Sequence, residues 1–116
     1  MYRCLIFLFL FMTPVFAHDF SVALTDFNGR PLATEGGPAL TLREAVTTAL
    51  VAPYKDETPS GMEKVRRWQL AMKIQATHDI ELTADDIALV KSLVAKAYGP
   101  MIVGQVWSIL DPASVK

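Results

Sequence analysis

Residues 60–77 read SGMEKVRRWQLAMKIQAT, the longest stretch of this chain with a helical apolar period. Its start is well specified. The Ser60 hydroxyl can accept from one free backbone N–H, and the carboxylate of Glu63, three residues on, from another. At 3.6 residues per turn, Met62, Val65, Trp68, Met72 and Ala76 share one side, and the spacing predicts that this side faces the core. Leu70 and Ile74 form a second apolar ridge on the far side, with Lys64, Arg66, Arg67 and Lys73 in the strips between. A helix apolar on two sides either lies between layers of its own domain or offers one ridge to a partner. The internal arrangement is the first expectation in a chain of this size. If a partner is bound, the candidate surface is Leu70 and Ile74 with flanking Arg66, Arg67 and Lys73.

Working back from this helix, YKDETP at 54–59 reads as a polar, solvated link. Before it, Thr41-Leu42-Arg43-Glu44 has the spacing of a second capping box, opening a helix that runs to about Ala52 and is stopped by Pro53. Leu42, Ala45, Ala49 and Leu50 are its packing residues. Residues 19–27 alternate Phe20, Val22 and Leu24 with smaller or polar residues, the period of a half-buried strand. Asn28-Gly29 follows, a strong hairpin signal because both residues tolerate positive φ. Pro31 confines the return strand to an edge, and residues 35–38, EGGP, are a loop.

Working forward, HDIEL at 78–82 predicts a short extended segment. Thr83-Ala84-Asp85-Asp86 opens a third helix, with acids at the positive end of its dipole. Ile87, Val90, Val94 and Tyr98 make its apolar stripe, widened by Leu93 and Ala97. Gly99-Pro100 stops that helix and starts another. Residues 101–110 carry no charge, which predicts that the last helix is central and the most buried. The pattern as a whole is α+β and mostly helical: an N-terminal β-hairpin packed on about four short helices.

The chain has 116 residues, enough for one modest core, and 18–116 is read as a single small domain. The formal net charge of −1 is no footprint for general nucleic-acid binding, which makes a nucleic-acid-binding regulator the weakest of the functional alternatives. Residues 1–17, MYRCLIFLFLFMTPVFA, have the parts of a secretory signal peptide. Arg3 precedes an apolar run over 5–12, Pro14 breaks it, and Val15 and Ala17 sit at −3 and −1 of a cleavage site. As a helix, residues 5–17 would span only ~20 Å against a hydrocarbon core of ~30 Å, so no stable membrane anchor is expected. A translation start set too far upstream would also add such a segment. Cys4 is the sole cysteine and precedes the apolar run, so the domain itself has no disulfide or thiolate metal site.

No catalytic constellation is visible. His78, Asp79, Glu81, Asp85 and Asp86 are potential ligands but lack EF-hand spacing and any H-E-x-x-H pair, and helix capping accounts for them without metal. His18 would become the first residue after cleavage, where an α-amine and imidazole could chelate Cu(II), but a single terminal histidine is common. The two histidines assemble no nucleophile–base set, and Gly36-Gly37 lacks the Lys and helix start of a phosphate loop. No enzyme activity, cofactor or metal is expected. Lys64, Arg66, Arg67, Trp68 and Lys73 could contact phosphates, but the acids that follow would repel a nearby DNA backbone.

The stretches LTDFNGRPL, ALTLREAVTTAL, EKVRRWQLAMKI and IELTADDIALVKSLVAKAYGPMIVGQVWSILD together resemble a group of small proteins encoded by tailed bacteriophages and prophages. The likeness covers about residues 20–111 and consists of helix starts and core positions, with no active-site motif. It implies a non-enzymatic role exerted through protein–protein binding, such as virion tail assembly. Proteins of that kind generally begin close to the hairpin, and the leader is where this chain departs. The leader supports the alternative of a small secreted or periplasmic factor; without it, a cytoplasmic or virion-associated location is implied.

Overall fold

A computed structural model of the chain describes residues 16–33, 37–76 and 79–115. The expected leader falls mostly on residues 1–15, and His78 of the ligand cluster also lies outside the described residues. The elements are β1 (Phe16–Asp19), α1 (Leu42–Val51), α2 (Gly61–Ala76), β2 (Asp79–Leu82), α3 (Ala84–Ala97) and α4 (Pro100–Leu110), closed by a 3₁₀ turn at Pro112–Val115. The fold is mostly helical α+β, as expected.

Local chemistry sets the helix starts. Thr41 Oγ1 accepts from the Glu44 N–H at 3.2 Å to open α1. Ser60 Oγ accepts from the Glu63 N–H at 3.1 Å to open α2. Thr83 and Asp86 close a reciprocal capping box at α3, where the Asp86 N–H donates to Thr83 Oγ1 and the Thr83 N–H to Asp86 Oδ2. Gly99 precedes α4, with Pro100 in its first turn, where a missing N–H removes no helical bond.

The core is organised around α1, whose Leu42, Ala45, Val46, Ala49 and Leu50 are all buried. It packs on α2 through Leu70, Ala71 and Ile74, and on α3 through Ile87, Val90, Leu93 and Val94. This corrects the expectation that the last helix is central. Only Val106 and Leu110 of α4 are buried, and its uncharged polar side chains bond to backbone instead. Gln105 bonds the Thr25 backbone in both directions, at 2.8 Å to its N–H and 2.6 Å to its C=O. Trp107 Nε1 donates to Lys91 O, and Ser108 Oγ to Gly104 O. Absence of charge marked a helix with little need for water, not the middle of the core.

The turn at Asn28-Gly29 forms where expected. Gly29 has φ of 80°, and the Asp26 carboxylate accepts from the N–H groups of Asn28 and Arg30. Its arms, however, meet at one isolated bridge among the described residues, Thr25 with Pro31; Ala33 with Ala39 and Ala23 with Thr41 bridge to the following segment, and no continuous ladder forms. Pro31 has no N–H to extend one. Leu24 N–H donates to Leu40 O, Leu40 N–H to Leu32 O and Leu32 N–H to Leu24 O, so an irregular ribbon lies over the buried Phe20 and Leu24.

The regular sheet forms elsewhere. β1 runs antiparallel to β2, with Phe16 opposite Leu82, Ala17 opposite Glu81, His18 opposite Ile80 and Asp19 opposite Asp79. The extended 79–82 segment was expected; its partner was not. The bond between Ala17 and His18, where a leader would be cut, lies in the middle of β1.

Candidate functional site

The two ridges of α2 are arranged the other way round from the expectation. Leu70 and Ile74 are 6% and 0% exposed and, with Ala71, form the inner face. Met62, Val65, Trp68 and Met72 are 78%, 43%, 57% and 53% exposed. The residue that decides the orientation is Arg67, which lies in the same arc as Leu70 and Ile74 and is itself buried. A buried guanidinium is stable only when paired and hydrogen-bonded, and the fold supplies the acids. Arg67 Nη1 and Nη2 both donate to the Glu57 carboxylate, the latter at 3.1 Å, and Nε lies 3.5 Å from Glu63 Oε1.

The same carboxylate accepts from Lys96 Nζ on α3 at 3.0 Å. Hydrogen bonds from Arg67 and Lys96 lower the Glu57 pKa from 4.5 to about 2, and the bond to Glu57 raises both cations. Lys96 also pairs with Asp56 and lies 5.5 Å from the Tyr54 ring centre. The Tyr54 hydroxyl donates to Ala49 O at 2.6 Å, with Leu93 O a second acceptor at 3.3 Å, and burial raises its pKa. Residues 54–59 are therefore more than a solvated link: Lys55, Asp56 and Thr58 are exposed as expected, but Tyr54 and Glu57 are tied down. They are clamped between α1, α2 and α3, which fixes the wall of a groove.

That groove has a volume of about 520 Å³. Val51 and Pro53 from the end of α1, Tyr54 and Pro59 from the clamped link, and Lys64 and Trp68 from α2 line it. Its size is that of a pocket for one bulky side chain or a small ligand. The groove adjoins the exposed stripe of α2 through Trp68, so the ridge runs into a hollow that is mostly apolar, with Glu57 and Arg67 also in its lining.

Of the five residues first picked for partner binding, only Arg66 and Lys73 reach this outer side. The Arg66 guanidinium stands 3.8 Å from Glu63 and 3.9 Å from Asp86, and Lys73 Nζ donates to Glu81 O at 2.9 Å. Arg67, Leu70 and Ile74 are structural, which removes them as a docking surface in the folded chain. Sequence reasoning grouped the exposed stripe correctly but faced it inward, and it missed Val51, Pro53, Tyr54 and Pro59 entirely. Pro53, just before YKDETP, and Tyr54 and Pro59 at its two ends were the available signal for a rigid wall.

No three His, Cys, Asp or Glu side chains among the described residues converge as a metal site, and no helix among them is long and apolar enough to cross a membrane. No protein-family model matches the chain, and no curated protein or solved structure does.

Proposed function

We propose that this protein is a non-enzymatic, phage- or prophage-type factor that works by holding another protein, with the outer face of α2 and its groove as the docking surface. The observation that carries this reading is the exposure of Met62, Val65, Trp68 and Met72 on one helix face beside a rigid, mostly apolar hollow. Scattered surface apolar residues are ordinary, whereas a contiguous patch with an exposed Trp next to a pocket is the usual make-up of an interface hot spot. The resemblance to small tailed-phage proteins supports an assembly role for the complex.

The test is affinity capture by the full chain in cells that carry its gene, with bound proteins identified by mass spectrometry. One identified protein is expected with the wild type and is lost with Trp68→Ala/Met72→Ser. Undiminished recovery by that variant, with circular dichroism confirming its fold, would remove the surface from the reading.

A further inference from the structure

The exposed half of α2 carries Lys64, Arg66 and Lys73 and not one acid. Lys64 stands on one rim of the apolar stripe, and Arg66 and Lys73 on the other, by their positions around a 3.6-residue helix. The acids near enough to neutralise this face are mostly committed elsewhere. Glu63 is turned toward Arg67, Glu57 is shared by Arg67 and Lys96, and Asp56 pairs with Lys96. Two acids face a rim cation, and it is the same one: Arg66 stands 3.8 Å from Glu63 and 3.9 Å from Asp86. Lys64 makes no ion pair among the described residues. In a chain of net charge −1, this is a local concentration of positive charge around an apolar seam.

Resting on the docking reading above, we infer that the face takes an acidic amphipathic helix of another protein. Its apolar residues lie along Met62, Val65, Trp68 and Met72. A bulky one enters the groove between Tyr54, Pro59 and Trp68, and its carboxylates meet Lys64 on one side and Arg66 and Lys73 on the other. The stripe runs from Met62 to Met72, ~15 Å at ~1.5 Å per residue, so a partner helix of about three turns covers it.

Charge decides against the other occupants. A second copy packing its α2 antiparallel across this seam sets each cationic rim beside the same rim of its copy, Lys64 with Lys64 and Arg66 and Lys73 with their own counterparts, like charges that oppose association. A nucleic acid would find a single aromatic platform, Trp68, with Met62, Val65 and Met72 filling the rest of the seam between the cations, where such interfaces stack successive bases on several aromatic faces. A bilayer surface would touch the ridge but leave the groove beneath Trp68 unfilled.

The experiment titrates the full chain into two fluorescein-labelled synthetic helices of identical length and apolar pattern, one flanked by Glu and one by Lys, and follows anisotropy. The Glu helix is expected to bind, the Lys helix roughly tenfold or more weakly, and Lys64→Glu/Lys73→Glu is expected to reverse the preference. Trp68→Ala weakens both. Equal binding of the two helices, abolished in both by Trp68→Ala, would overturn the acidic partner while leaving the docking face standing. Binding of neither helix overturns the inference, and the capture experiment with Trp68→Ala/Met72→Ser then decides the docking face separately. Oligo-dT and phosphatidylglycerol vesicles are titrated alongside, and tighter binding of either than of the Glu helix also overturns it.

Discussion

The Glu57 carboxylate accepts from Arg67 and Lys96, and those two bonds hold its pKa at about 2 in the folded chain against an ordinary 4.5. A carboxylate with a depressed folded-state pKa contributes stability that is fully present above its unfolded value and is lost as pH falls through the folded one. Thermal melts of the wild type should therefore show Tm falling between pH 4.5 and about 2. In Glu57→Gln the Tm at neutral pH should be lower and the fall across that window smaller. Equal slopes in the two proteins would remove Glu57 as the source. A second contrast tests the orientation of α2. Leu70→Ala should cost about 2–4 kcal/mol in urea unfolding, as a buried large-to-small change does. Trp68→Ala, at 57% exposure, should stay within about 0.5 kcal/mol of wild type; the opposite ranking would put the Trp68 ridge inside. Counting apolar residues favoured that wrong ranking, five against two. What overrides the count is a carboxylate from a separate segment, and spacing along α2 cannot reveal that Arg67 has Glu57 to meet it.

At the scale of elements, the helices were legible because their starts are local. Thr41, Ser60 and Thr83 each accept from an N–H three residues on, within reach of any reading of the sequence. The sheet was not, because β1 lies in a stretch that also reads as the end of a leader, and its partner β2 is remote in the chain. A chain beginning at His18 loses two of the four residue pairs of that ladder, those of Phe16 with Leu82 and Ala17 with Glu81. Its Tm should fall by several degrees relative to a chain that keeps residue 16; an unchanged melt would show that the ladder adds little. Gln105 joins the ribbon to α4. Its amide ties Thr25 to α4 as a neighbouring strand would, so Gln105→Ala should cost about 1–2 kcal/mol for the two bonds. Faster hydrogen exchange should be confined to the ribbon and should spare α1; uniform acceleration would mean that the ribbon and core open together.

For the molecule as a whole, α1 is the post on which α2, α3 and the ribbon are mounted, and the groove exists because the link from α1 to α2 is held on both sides. With like charges along both rims of the outer α2 face, the chain should sediment as a monomer at micromolar concentrations. A dimer that dissociates on Trp68→Ala would instead make a second copy the occupant. The register of β1 carries a consequence of a different kind, one of timing. A peptidase needs its target bond in an extended strand of its own, and the Ala17–His18 bond is already engaged in one opposite Glu81 and Ile80. Folding and maturation thus compete for the same few residues. Whichever comes first excludes the other: a chain cut early never completes the ladder, and a chain that folds early hides the bond.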